Sequence, residues 1–464
     1  METVIILVFV IGYLAITLEH NIKIDKLIPA LVMMAISWAL ISLGIDSFPE
    51  WFDSANHGLV AGYDTLGHDT RMHLMEETLL HHLGKTAEIL VFLLGAMTIV
   101  EIIDYFDGFS TIKNFIKTKK KSKILWIFAF LAFILSAIID NLTATIVLIS
   151  ILQKIISDRS VRIWFAGLII IAANAGGAWS PIGDVTTTML WIGKKVTTGH
   201  LVGYLLLPSL ICMLVPTFIA SFLPAFKGDL AIDDAKEEKP KSRFSATMLY
   251  LGLGAIVFVP IFKTVTHLPP YVGMMLALGV VAIFAEIYSS SKFSLTEFDG
   301  EESDAHAHHS PVHHSLSKIE LPSILFFLGI LMAVAALESL GILFGFASTL
   351  KEGMPMMGTE LHGEGVSDLV IILLGIGSAV IDNVPLVAAS LGMFSEPIDN
   401  ELWHFIAYSA GTGGSMLIIG SAAGVVAMGM EKIDFFWYLK KIAWLALIGF
   451  LAGTVVFFWT RTLF

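Results

Sequence analysis

The chain of 464 residues is 56% hydrophobic and only 15% charged, with a formal net charge of −12. A soluble domain carries about 25% charged residues, so this composition excludes an ordinary soluble protein and indicates a chain embedded in a lipid bilayer. The chain has no basic stripe of the kind that binds nucleic acid. Its single cysteine, Cys212, excludes an intramolecular disulfide or a paired-thiol redox site.

Apolar runs divide the first half of the chain into predicted membrane helices. The first run lacks a basic start and a small-residue cleavage site, so we expect a retained span and not a signal peptide. Two short runs meet at Asp140-Asn141, and a longer stretch is interrupted by Asn-Ala-Gly-Gly at 174–177. The predicted spans are 4–18, 27–44, 87–104 and 201–225, with a hairpin at 124–156 and a broken helix at 161–192.

The second half repeats this plan after a polar linker at 226–243 that carries charges of both signs. Here the short runs meet at Asp382-Asn383, and the longer stretch is interrupted at 411–414. The predicted spans are 245–262, 270–288, 321–340 and 436–460, with a hairpin at 367–394 and a broken helix at 401–430. We therefore expect an all-α polytopic membrane protein with two repeats, 1–225 and 244–464. Each repeat has five spans, of which the broken helix is one, and one re-entrant hairpin.

Two sequence matches indicate the repeat. The segment Ser-Ala-Ile-Ile-Asp-Asn at 136–141 reappears 242 positions later as Ser-Ala-Val-Ile-Asp-Asn at 378–383. At an offset of 237, the residues Ala173, Gly176, Gly177, Ile182 and Gly183 match Ala410, Gly413, Gly414, Ile419 and Gly420.

The flanking charges predict that the repeats are inverted. Lysine and arginine stand on both sides of the first hairpin, whereas acidic residues flank the second. Basic residues favour the cytoplasmic side of a membrane. The hairpins should therefore enter from opposite faces, with the linker in the cytoplasm and the broken helices at the midplane.

The paired acidic tips predict an ion site. A carboxylate at membrane depth costs about 3 kcal/mol or more, so it is rarely kept without a function. Oxygen ligands from carboxylates, amides, hydroxyls and freed backbone carbonyls suit a hard cation. The predicted ion ligands are Asp140, Asn141, Thr143, Ser136, Asn174, Asp184, Asp382, Asn383, Ser378 and Thr412, with Na⁺ placed at Asp140, Asn141, Asp382 and Asn383.

The same carboxylates would allow a metal ion and a proton to be exchanged. Desolvation disfavours the charge of a buried carboxylate, so such a group could hold a proton and a metal ion in turn. Glu101, Asp104 and Glu338 stand near the ends of equivalent spans and are candidate proton relays. Gly176, Gly177, Gly413 and Gly414 are expected to permit the helix breaks. A structural alternative is that each aspartate only caps the half-helix that follows it.

On these residues the chain resembles the NhaD-type sodium/proton antiporters of the ion transporter superfamily. The resemblance covers nearly the whole chain and is carried by the paired Ser-Ala-[Ile/Val]-Ile-Asp-Asn tips, by Asn-Ala-Gly-Gly-Ala-Trp-Ser-Pro-Ile-Gly-Asp at 174–184, and by Gly413-Gly414 with Ile419-Gly420. It implies inverted repeats and exchange of Na⁺ or Li⁺ for H⁺ without a cofactor. It also implies a homodimer with an elevator-like motion in a bacterial inner (cytoplasmic) membrane.

Other functions remain open to different degrees. An anion carrier for dicarboxylate or arsenite has a similar plan, but dicarboxylate carriers typically have Ser-Asn-Thr at the tips. Aspartate replaces that serine here, and a fixed anionic ligand favours a cation. A channel would not need two hairpin gates. The enzymatic alternative, an intramembrane aspartyl protease, is disfavoured because Ile139 precedes Asp140 where that class has tyrosine.

Overall fold

The computed structural model describes residues 1–53, 58–113, 118–230, 244–293, 310–353, 366–380 and 382–463. Most of the predicted linker at 226–243 therefore lies outside the described residues. The helices of the first half are α1 (Glu2–Thr17), α2 (Glu19–Ile22), α3 (Leu27–Leu43), α4 (His68–Tyr105), α5 (Ser110–Lys113), α6 (Lys121–Ile139), α7 (Asn141–Ile155), α8 (Arg159–Ala178), α9 (Val185–Ile192) and α10 (Thr198–Ser221). Two short antiparallel strands, β1 (Phe52–Asp53) and β2 (Gly58–Leu59), precede α4.

The second half has eleven helices among the described residues. They are α11 (Ser245–Thr266), α12 (Pro270–Phe293), α13 (Pro311–Lys318), α14 (Leu321–Ser339), α15 (Ile342–Gly353), α16 (Asp368–Gly377), α17 (Asn383–Met393), α18 (Glu401–Gly413), α19 (Ala422–Glu431), α20 (Phe435–Lys441) and α21 (Ala443–Thr460).

Eight helices within the described residues are long and apolar enough to cross a membrane: α4, α6, α8, α10, α11, α12, α14 and α21. Shorter apolar helices, among them α1, α3, α7, α16, α17 and α19, complete the bundle. The chain is thus a helical polytopic membrane protein, which agrees with the fold class predicted from its composition.

Helix α4 differs from its prediction. The apolar run predicted a span at 87–104, but the helix begins at His68 and has 38 residues. At 1.5 Å per residue it is about 57 Å long, whereas a bilayer core is about 30 Å thick. The polar residues before the apolar run continue the same helix and do not form a loop.

The helix breaks lie at the predicted glycine pairs or directly after them. Helix α8 runs through Gly176 and Gly177 and ends at Ala178, and α18 ends at Gly413. The glycines serve close packing: a Cβ at Gly176 would lie 2.2 Å from the carbonyl oxygen of Phe133 in α6. A Cβ at Gly413 would lie 2.0 Å from the carbonyl oxygen of Gly375 in α16. These glycines therefore let each hairpin lie directly against its neighbouring broken helix.

Helix packing separates the bundle into two groups. The first, here called the framework, is a row in which α11, α12, α4, α14, α3 and α1 pack successively on one another. The second, here called the core, contains the hairpins α6–α7 and α16–α17, the broken helices α8–α9 and α18–α19, and helices α10 and α21. Exchanging α1 with α11, α3 with α12 and α4 with α14 gives the same row in reverse order. Contacts of α17 with α14 and of α9 with α4 join the two groups.

Candidate cation site

Four short helices begin next to one another inside the core. Helix α7 packs on α19, α17 packs on α9, and α8 packs on α18, so the hairpin tips meet the helix breaks of both halves. Each short helix starts at a capping side chain that accepts a backbone N–H: Asp140 for α7, Asp184 for α9, Asp382 for α17 and Ser421 for α19. The capping role considered for the aspartates is therefore real, and any further function is additional to it.

Asp184 is the centre of a buried polar network. The amide nitrogen of Asn141, at the first hairpin tip, donates to its Oδ2 atom over 2.8 Å. The amide nitrogen of Asn383, at the second tip, donates to the same oxygen over 3.2 Å. Asp184 is 2% exposed. One carboxylate thus joins both hairpin tips, although the second tip belongs to the other half of the chain.

Asn174 extends this network between the halves. Its Oδ1 atom accepts a hydrogen bond from Asn141 over 3.0 Å, and its amide nitrogen donates to Ser421 Oγ over 3.0 Å. Both Asn174 and Ser421 are buried. At the offset of 237 Ser421 aligns with Asp184, but it is not among the predicted ligands. Ser421 directly follows the matched Ile419-Gly420 pair, and this position could have identified it as a member of the site.

Asp140 lies beside this network in a strained conformation. Its φ of 75° and ψ of 160° fall in a region that is populated mainly by glycine. The amide and hydroxyl of Thr143 donate to its two carboxylate oxygens over 2.8 and 2.9 Å. Asp140, Asp184 and Thr188 line a cavity of about 10 Å³, which is close to the lower limit for one water molecule.

Asp382 has a different environment from Asp140. The ammonium group of Lys26, just before α3, lies 3.1 Å from its Oδ2 atom. The backbone amide of Val384 donates to its Oδ1 atom over 3.4 Å. Sequence reasoning missed Lys26, because no local pattern connects it with a residue 356 positions away. The two acidic tips, although similar in sequence, are not equivalent in charge.

Three predicted hydroxyl ligands donate to backbone carbonyl oxygens. Ser136 donates to the carbonyl oxygen of Ala173 over 2.6 Å, and Ser378 donates to that of Ala410 over 3.0 Å. These matching bonds tie each hairpin to its broken helix. Thr412 donates to the carbonyl oxygen of Tyr408 within α18.

The predicted relay residues line cavities near the site. A cavity of about 370 Å³ is bordered by Glu101, Asp104 and Thr143, and so reaches the residue that binds the Asp140 carboxylate. Glu338 borders a separate cavity of about 120 Å³ whose described lining includes neither hairpin tip. Of these two cavities, the larger one is therefore the one that approaches Asp140.

A buried polar site between hairpin tips and broken helices is the arrangement of a secondary transporter, so the fold and site define a polytopic membrane protein of this class. The family model described as citrate transporter, CitMHS, matches residues 13–403. The chain is 39% identical over 462 residues to "Sodium/proton antiporter 1" of Arabidopsis thaliana, with 97% of this chain and 71% of that protein covered.

Bacterial relatives match over similar lengths. The chain is 31% identical over 473 residues to "Na(+)/H(+) antiporter NhaD" of Alkalimonas amylolytica, with 98% of this chain and 90% of that protein covered. It is 30% identical over 468 residues to the protein of the same name from Vibrio cholerae, with coverage of 97% and 90%. The chain belongs to the CitMHS family of transporters, and the resemblance to NhaD-type sodium/proton antiporters is confirmed.

Proposed function

We propose that this protein exchanges Na⁺ or Li⁺ for H⁺ across a membrane by alternating access. The observation that carries the proposal is the convergence of Asn141 and Asn383 on the carboxylate of Asp184. Relatives named as sodium/proton antiporters in plants and bacteria support the same substrates. The cation and the proton are both cargo, and the mechanism requires no cofactor.

The chemistry of the site favours a cation. Asp140 and Asp184 line one small cavity, and Asn141 and Asn383 each have an amide oxygen beside the nitrogen that donates to Asp184. Carboxylate and amide oxygens are hard ligands that suit Na⁺ and Li⁺. The carbonyl end of α8, next to the break, adds backbone oxygens of the kind that bind Na⁺ in discontinuous helices.

Competition at the carboxylates couples the two ions. A charged carboxylate away from bulk water needs a cation or a proton to balance it. When Na⁺ binds between Asp140 and Asp184, a proton held there must leave. When the cation leaves on the opposite side, the carboxylates bind a proton again before the site returns. Exchange follows without a separate coupling device.

The two halves would act as inverted repeats, with α6–α7 and α16–α17 as re-entrant hairpins from opposite faces. The basic residues around the first hairpin favour a cytoplasmic position for its open end. The cavity at Glu101 and Thr143 would then face the cytoplasm, and this conformation would be the inward-facing one. The proposal includes an elevator-like movement of the core against the framework in a homodimer, located in a bacterial inner membrane.

The test is ion-driven proton movement in proteoliposomes. Vesicles containing the purified protein, with an acidic interior reported by a quenched pH-sensitive dye, should recover fluorescence when NaCl or LiCl is added outside. Choline chloride should cause no recovery. Exchange with choline, or none with Na⁺ and Li⁺ in protein that is folded, would contradict the proposal.

Transport of an organic anion is the second candidate, because the matching family model is described as citrate transporter. The network around Asp184 contains a carboxylate and amides, and no lysine or arginine among the described residues donates to it. A multivalent anion would meet negative charge there. Citrate is therefore expected neither to accumulate in the vesicles nor to replace Na⁺ in the exchange assay.

A further inference from the structure

Lys26 forms an ion pair that joins the framework to the second hairpin tip. Its Nζ atom lies 3.1 Å from Asp382 Oδ2, and the side chains are 23% and 14% exposed. The same ammonium group lies 4.5 Å from the ring centre of Phe326 in α14. A cation over an aromatic ring and beside a carboxylate is held by both. The pair is therefore a built contact and not an incidental meeting of surface charges.

The ion pair gives Asp382, at the second tip, a positively charged partner that Asp140, at the first tip, lacks among the described residues. Asp140 receives two hydrogen bonds from Thr143, and no lysine or arginine pairs with it in the described part of the chain. At the second tip Pro385 takes the position of Thr143, so that position supplies no hydroxyl to Asp382. The ammonium group of Lys26 supplies the compensating positive charge instead.

Further acidic residues surround Lys26. A cavity of about 160 Å³ is lined by Lys26, Glu19, Asp25 and Glu320, and it also reaches Leu142 at the first tip. The lysine side chain is long and rotatable, and its ammonium group binds as a compact point charge. It occupies the position beside Asp382 where a transported monovalent cation would otherwise be attracted.

We infer that Lys26 is a tethered cation that replaces a transported ion at the second tip, so that each chain binds a single Na⁺, on the Asp140–Asp184 side. This inference rests on the proposed function, because it concerns how many cations the exchanger carries. It assigns Lys26 a role in setting ion number, and it removes Asp382 from the Na⁺ ligands while the pair is intact.

The experiment counts Na⁺ ions bound to the purified full-length protein with radioactive ²²Na⁺, at alkaline pH where protons compete least. Wild type is expected to bind one Na⁺ per chain. Lys26→Met, which keeps the length of the side chain but removes its charge, is expected to bind two. Lys26→Arg should bind one, and Lys26→Met combined with Asp382→Asn should return to one.

Two results would overturn the inference: two ions per chain in wild type, or one ion in folded Lys26→Met. The wild-type count by itself keeps the inference testable if Lys26→Met does not fold. A wild-type protein that binds no Na⁺ would overturn the proposed function and, with it, the inference, whereas two ions in wild type would overturn the inference alone. The two failures are therefore distinguishable.

Discussion

Asn141 and Asn383 are 242 positions apart, yet their side-chain amides donate to the same oxygen atom, Oδ2 of Asp184. One amide comes from each hairpin tip, so the two halves of the chain meet at one charge. A hydrogen bond to an ionised group contributes about 1.5–3 kcal/mol. Any movement of one hairpin relative to the other must change the environment of this carboxylate.

Asp184→Asn tests the charge separately from the cap. Asparagine caps a helix about as well as aspartate, so α9 should still form. We expect Na⁺-dependent exchange to fall by about 100-fold, equivalent to about 2.8 kcal/mol, because the cation loses its anionic ligand. Initial rates of dye recovery in proteoliposomes measure this. Asp158→Asn, at the exposed cap of α8, is the matched control and should behave as wild type.

Asn141→Ala and Asn383→Ala should each weaken the site. Each removes one amide that contacts Asp184, so the apparent KM for Na⁺ should rise by about 10-fold. Because both amides act on one oxygen, the double variant should differ from the sum of the single effects. Asn400→Ala removes an amide that caps α18, and it is expected to leave the KM unchanged. Additive effects of the two tip variants would argue against a shared site.

Gly176→Ala should destabilise the fold. The added methyl would lie 2.2 Å from the carbonyl oxygen of Phe133, so α6 and α8 would have to separate. Forcing extra volume into a packed interior costs about 1–3 kcal/mol. We expect a clear decrease of the thermal unfolding midpoint in detergent, measured by size-exclusion chromatography of heated samples. Gly254→Ala, where the methyl meets nothing within 4 Å, should leave the midpoint unchanged or raise it.

The apparent affinity for Na⁺ should increase with pH. If protons and Na⁺ compete for the same carboxylates, the apparent KM is raised when the site is protonated and falls as protons leave. With one competing proton the fall is at most about tenfold per pH unit, and it stops once the site is deprotonated. Na⁺ titrations of the exchange rate between about pH 6.5 and about pH 9 measure this. A KM that stays constant over the range would contradict competition.

Leu142→Cys should report which side of the membrane reaches the first tip. Leu142 lines both the cavity of about 370 Å³ and the cavity of about 160 Å³. The native Cys212 is buried, so it adds little background. A membrane-impermeant maleimide should label Leu142→Cys in inside-out vesicles, and much less in right-side-out vesicles.

The matched control for this labelling is Val384→Cys, at the equivalent position of the second tip. Val384 is 2% exposed, so the cysteine should react little from either side. Labelling of Leu142→Cys only from the outside would reverse the orientation that the basic residues predict.

The sequence predicted most of the long apolar helices because membrane burial constrains composition strongly. A bilayer admits long apolar runs as helices, so the runs in 121–221 appear at nearly their predicted positions. The start of α4 could not be predicted in this way, because residues 68–86 are polar and hydropathy does not distinguish a polar helix from a loop. The glycine pairs predicted the breaks, which lie at them or directly after them, but not the close helix contacts that Gly176 and Gly413 also permit.

The sequence by itself determined that the protein spans a membrane, that its two halves share a plan, and that acidic residues stand at interruptions of apolar segments. Only the tertiary structure decided which of these residues meet. Asp184 contacts Asn383 across 199 positions, and Lys26 contacts Asp382 across 356. Local patterns depend on neighbours within a helix turn, whereas these contacts depend on how the hairpins pack. Near-identical tips therefore have different charge partners.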